Sequence, residues 1–194
     1  MRRQRKKGTK FMVIGVLLII AALGLTIYNI WDGNRAGRES KEIADKLAAE
    51  LPEATKPHFD PTKEMKTLDL DGNLYLGLLE IPSLDLELPV MSDWSYDHLR
   101  TAPCRYAGSC YSNDLVIAGH NYSGHFRDLK SLAIGAEVYF TTVDGEVFQY
   151  VVDNIETLNP TQVETMIAAD NWDLTLFTCT VGGRSRCTVR CVEP

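Results

Sequence analysis

The chain has 194 residues, 45% hydrophobic and 24% charged, with 20 Lys and Arg against 26 Asp and Glu for a formal net charge of −6. That balance excludes gross disorder, and once an N-terminal apolar segment and its stalk are set aside, about 125 residues remain, enough for one hydrophobic core. The charge is segregated: residues 1–10 carry Arg2, Arg3, Arg5, Lys6, Lys7 and Lys10, leaving 14 basic against 26 acidic side chains over residues 11–194. Such an acidic body would be repelled by phosphates, so nucleic acid is excluded as a partner.

The basic tip, residues 1–10, suits anionic headgroups on the cytoplasmic side. No charge occurs from Phe11 to Trp31, and 21 residues of helix would span about 31 Å, the thickness of a hydrocarbon core. Tyr28, Asn29 and Trp31 resemble an interface belt. An uncleaved anchor with the rest of the chain outside is therefore expected, a cleaved secretory signal being the alternative. Residues 32–66 have the composition of an extracellular stalk. One helix is allowed over 36–51, with Ile43, Leu47 and Leu51 on one face, before Pro52, Pro57 and Pro61 interrupt it.

Residues 67–194 form the expected folded domain. Short strand-like runs fall at 75–81, 84–90, 115–119, 137–142, 146–153, 174–179 and 184–192, and Asp144-Gly145 marks a hairpin between two of them. Helical turns are expected at 95–101 and 126–132. A capping box at Thr161-Gln162-Val163-Glu164 opens a third short helix, with Val163, Met166 and Ile167 on one side. The fold class is all-β with short helices, a closed barrel.

Five cysteines lie in an outward-facing and potentially oxidising domain, and an odd number leaves at least one thiol free. Cys104 and Cys110 flank a short turn-like segment and could pair. Cys187 and Cys191 share a strand face with Val189 and are about 13 Å apart, too far to bridge, so buried thiols are expected. Cys179 remains. It ends the run Leu174-Thr175-Leu176-Phe177-Thr178-Cys179, just before Val181-Gly182-Gly183, with Arg184 and Arg186 following. Cations lower a thiol pKa and favour the nucleophilic thiolate. His120 ends the apolar run 115–119, and Arg186 could donate several N–H groups to an oxygen gaining charge. Arg184 is its rival, while Arg190 shares the Arg186 face. His58, His98 and His125 lack a strand-end setting. No His/Cys spacing suits a metal, and no cofactor is expected.

The runs Leu115-Val116-Ile117-Ala118-Gly119-His120-Asn121 and Leu174-Thr175-Leu176-Phe177-Thr178-Cys179, with Arg186-x-x-Val189, resemble the sortase family of Gram-positive cell-surface transpeptidases. The resemblance extends from Tyr75 to the C-terminus. It implies an eight-stranded β-barrel with Cys179, His120 and Arg186 in one groove. It also implies a thioacyl-enzyme formed from an LPxTG-like sorting signal of a secreted protein. An amine of a cell-wall precursor or pilin would resolve that intermediate. Thr178 and Asn121 would contribute to substrate contacts, and Val163, Met166 and Ile167 to the floor beneath the Leu-Pro portion. With ordinary pKa values of about 8.5 for Cys and 6.5 for His, the ion pair is a minority form at neutral pH. Asp60-Pro61-Thr62 carries the dipeptide of a pilin-type lid without its aromatic residue, so no lid is expected. A papain-like peptidase hydrolysing its acyl intermediate, and a tethered binding barrel with an incidental thiol, are the competing readings.

Overall fold

The structure, a computed structural model, describes residues 3–168, 171–180 and 182–194. It opens with α1, Arg3–Glu50, 48 residues without a break, which at 1.5 Å per residue is about 72 Å of helix. Its first half bears exposed apolar side chains from Phe11 to Trp31 and is long and apolar enough to cross a membrane. The second half, expected as a stalk, continues the same helix along the folded domain. Ala36, Ser40, Ala44 and Leu47 are buried there. Small side chains at this spacing let two backbones approach closely, and a Cβ on Gly124 would come within 2.4 Å of the Cα of Gly37.

The remaining elements are β1 (Leu68–Leu70), β2 (Asn73–Ile81), β3 (Leu86–Met91), α2 (Tyr96–Thr101), β4 (Cys104–Ala107), β5 (Leu115–Gly119), β6 (Glu137–Thr142), β7 (Val147–Leu158), α3 (Val163–Ile167), β8 (Leu174–Cys179) and β9 (Arg186–Val192). The strands run β2-β3-β4-β5-β8-β9-β7-β6, and β6 pairs back onto β2. The result is a closed eight-stranded barrel with short helices, to which β1 adds as a hairpin partner of β2. Closure removes the sheet edges that would otherwise template aggregation.

Alternation along each strand sends one set of side chains inward. Leu115, Ile117, Val138, Phe140, Phe148, Tyr150, Leu174, Leu176 and Val189 fill the barrel. A second cluster seals α1 onto it through Ala44, Leu47, Tyr75, Leu78 and Met91. The proline-rich segment after α1 is pinned by Glu146. This carboxylate accepts from the Tyr111 hydroxyl at 2.6 Å and from the His58 backbone N–H at 3.1 Å, and pairs with Lys63.

Several local expectations are corrected. Residues 82–84 form a 3-10 turn, and Asp85 turns left-handed at φ 52, so the strand expected from 84 begins at Leu86. The 126–132 stretch contains a single 3-10 turn, Leu129–Ser131. No capping box opens α3. Its N-cap is Gln162, whose side chain instead accepts from the Asn159 N–H at 2.8 Å. Cys104 and Cys110 are free buried thiols rather than a pair. Residues 104–107 are strand, not turn, and place Cys104 in the α1-facing cluster, whereas Cys110 lies in the barrel core. Cys187 and Cys191 are buried free thiols, as the strand spacing requires.

Candidate active site

The site is built by strand register. β5 and β8 run parallel with Gly119 opposite Thr178, so the next residues along, His120 and Cys179, leave their strands side by side. β8 and β9 run antiparallel, and their last pair is Cys179 opposite Arg186. Neighbouring strands lie about 4.8 Å apart. Three adjacent strand ends therefore carry imidazole, thiol and guanidinium in that order at one end of the barrel.

Cys179 differs from the other four cysteines in being exposed. Burial drives Cys104, Cys110 and Cys191 up to about 12 and raises Cys187, which keeps those thiols protonated and inert. The turn after Cys179 is tied across its mouth. The Thr180 backbone N–H donates to the Ser185 carbonyl at 2.9 Å, and the two hydroxyls lie 2.9 Å apart. Gly182 and Gly183 both take positive φ, 85 and 69 degrees, conformations that favour glycine. Residue 181 of the expected flexible turn lies outside the described residues. Arg186 is half-buried, and its Nη1 donates to the carbonyls of Gly183 and Ser185, each at 3.2 Å. Arg184, its rival in the sequence, sits exposed on the turn and outside the ladder.

His120 is partly buried, and its Nδ1 has no hydrogen-bond partner among the described residues. Burial lowers its pKa from the ordinary value. Arg100 pushes the same way, and Asp32 opposes them. The neutral imidazole is therefore favoured at neutral pH. The Tyr122 ring lies flat on it, centroids 3.9 Å apart and planes 5° from parallel.

Period-two alternation separates Thr178 from Cys179. Thr178 is buried on the barrel-interior face opposite Cys187, and its hydroxyl finds no partner among the described residues. Its side chain is not brought to the face that carries the thiol. Asn121 lines a cleft of about 400 Å³ between its own loop and α1, shared with Asn29, Gly33 and Tyr122. On α3, Met166 is buried, whereas Val163 and Ile167 are 40% and 41% exposed. Residues 169 and 170, just beyond α3, lie outside those described.

Sequence reasoning missed the buried packing behind the thiol's face. Phe177 shares the Cys179 face and packs with Val116, Ala118, Leu158 and Met166, backed by Tyr106 and Leu99. The same alternation that exposes Cys179 was the available signal. Arg190 was also undervalued. It is 1% exposed and donates to Glu156 at 2.9 Å, to Thr175 Oγ1 at 2.9 Å, and to the carbonyls of Met166 and Thr165 at 2.9 and 2.7 Å. One guanidinium thus fixes α3 against the outer face of β8 and β9.

Residues 79–193 match the Sortase domain family model. That span exceeds half the chain, which belongs to the sortase family. Among similar proteins, Sortase A of Bacillus anthracis is 25% identical over 182 residues, covering 87% of this chain and 86% of that protein. Sortase D of Bacillus subtilis is 27% identical over 181 residues, covering 90% and 89%. The solved Sortase C of Streptococcus pneumoniae shares the fold with a TM-score of 0.57 at 24% identity, covering 91% of this chain and 96% of that one. Sortase C1 of Streptococcus suis gives 0.53 at 27% identity, covering 62% and 73%. Family membership makes the protein a sortase-type cysteine transpeptidase.

Proposed function

We propose that this chain is a membrane-anchored transpeptidase that cleaves an LPxTG-like sorting signal and joins the released carboxyl end to an amine of a cell-wall precursor or pilin. The observation that carries the reading is the ladder register, which aligns positions 120, 179 and 186 on three neighbouring strand ends and leaves Cys179 as the exposed thiol. The Cys179 thiol passes its proton to His120 as Sγ attacks the Thr carbonyl of the signal, and the oxygen gains negative charge that Arg186 stabilises through its N–H groups. The C–N bond breaks as His120 gives a proton to the leaving amine. The acceptor amine then attacks the thioester, His120 takes its proton and passes it to the departing sulfur, and the thiol is released as the C–S bond breaks. Without an acceptor, water resolves the thioester and the enzyme acts as a hydrolase.

The exposed Val163 and Ile167 on α3 support contact with the Leu-Pro portion, and the buried cluster of Phe177, Val116, Ala118 and Met166 supports the helix that carries them. Asn121, next to His120, is assigned to peptide contact from the cleft that its loop shares with α1. The basic tip and the apolar half of α1 support an N-terminus in the cytoplasm and a catalytic domain outside.

A fluorogenic sorting peptide incubated with and without an amine acceptor tests this reading. Ligated product that requires the acceptor and vanishes in Cys179→Ala is the expected result. Hydrolysis indifferent to amine would indicate a peptidase, and undiminished turnover in Cys179→Ala would remove the nucleophile assignment.

A further inference from the structure

The loop after β5 is held from outside by α1. Tyr122 lies flat on His120, and its hydroxyl donates to Asp32 Oδ2 at 2.8 Å. Its ring also meets His125 edge-on, with centroids 5.6 Å apart. Gly37 and Gly124 bring the two backbones together too closely for a Cβ on Gly124. The loop is therefore located against α1 by a hydrogen bond and by direct backbone contact.

A general-base histidine is ordinarily oriented by a hydrogen bond from its second ring nitrogen to a carboxylate or carbonyl. His120 lacks one: its Nδ1 is buried with no partner among the described residues. The flat aromatic stack is left to fix the ring plane. Burial and the Asp32 hydrogen bond raise the Tyr122 hydroxyl to about 12, so it stays a protonated donor throughout the working range. The charged groups acting on the imidazole are Arg100 on α2 and Asp32 on α1, while His120 itself acts on the neighbouring His125 and lowers it.

We propose that Asp32 and Tyr122 are positioning residues for His120: the helix that emerges from the apolar segment clamps the Tyr122 hydroxyl, and the clamped ring sets the plane of the imidazole. This inference rests on His120 being the general acid and base. It adds that α1 is part of the catalytic apparatus and not merely a tether.

The test uses the full-length chain in detergent micelles with Asp32→Asn, Tyr122→Phe, Tyr122→Leu and the double variant Asp32→Asn/Tyr122→Phe. Tyr122→Phe keeps the stack and loses the hydroxyl, so kcat should fall about threefold, and Asp32→Asn should match it. The double variant should fall no further than either single one, because hydroxyl and carboxylate act as a unit. Tyr122→Leu removes the stack and should lower kcat about tenfold or more with KM little changed, through lost orientation. The His120 ring signals in NMR should move in every variant. A merely structural role would lower melting temperature without the kcat-specific, non-additive pattern. Unchanged kcat and unmoved His120 signals in Tyr122→Phe and Asp32→Asn would overturn the proposal even if Tyr122→Leu fails to fold. So would a rise in kcat, which would mark the contact as obstructive. His120→Gln is measured alongside: full turnover in that variant would instead remove the acid–base reading on which the inference stands.

Discussion

Arg190 shows how one side chain can shape a groove without lining it. Its guanidinium is sealed between β9 and α3, with Glu156, Thr175 and two α3 carbonyls as acceptors. A lysine would keep the charge but lose the planar fork that reaches four acceptors at once. Arg190→Met leaves those acceptors without their donor and should cost about 2–4 kcal/mol of stability. The functional signature is distinct from that of Arg186. Freed α3 should raise KM for the sorting peptide with a smaller change in kcat, whereas Arg186→Lys should lower kcat itself, by about a hundredfold, through a weakened oxyanion contact. Steady-state kinetics on the two variants separates these roles.

At the scale of elements, the seat of α1 on the loop after β5 contains a buried histidine. His125 is fully enclosed, and burial lowers its pKa to about 4, with the Ala36 backbone of α1 opposing that effect. In the unfolded chain the ring takes up a proton below about pH 6.5, whereas the folded chain resists until about pH 4. The unfolded state thus binds more protons, and stability falls as pH drops through that window, by about 3 kcal/mol near pH 4. Denaturation at a series of pH values should show this component, and His125→Gln should abolish it while leaving the carboxylate contribution.

The elements also show what could be read from the sequence alone. Strands β5, β6 and β8 were legible residue by residue because each apolar or β-branched run is bounded by polar or turn residues. β7 was read as ending at 153, but a register shift between Val152 and Asn154 lets it continue to Leu158. β4 was taken for a turn because Arg105 and Tyr106 give it no apolar run, and β1 is only three residues long. The continuity of α1 was hidden because Gly33, between the apolar run and the helix allowed over 36–51, argues against helix in an isolated segment. At position 37 the packed interface needs a small residue, since a Cβ there would come within 3.0 Å of the Gly124 Cα, whereas a Cβ at position 33 would make only ordinary contacts. Cys179, His120 and Arg186 stood out locally, each at a strand end. The contact between Asp32 and Tyr122 spans 90 residues and left no local trace.

For the whole molecule, the five cysteines divide sharply. Four are enclosed with raised pKa values and one is exposed. A thiol reagent at neutral pH should label the folded chain once, at Cys179, and reach the remaining thiols only on unfolding; mass spectrometry of labelled chain before and after denaturation counts them. Labelling of a second thiol under native conditions would mean that the barrel opens far more readily than its closed ladder suggests.

The absence of a hinge in α1 has its own consequence. Under the proposed anchoring, with the apolar half inserted up to Trp31, Asp32 would leave the bilayer within one helical turn of it, where it touches the loop that carries His120. A barrel mounted in that way on so short and stiff a post would not sweep through the surrounding space for its clients. Both reactants would have to arrive by drifting in the plane of the lipid, so turnover would scale with their surface density, and detaching either one into solution would slow the reaction.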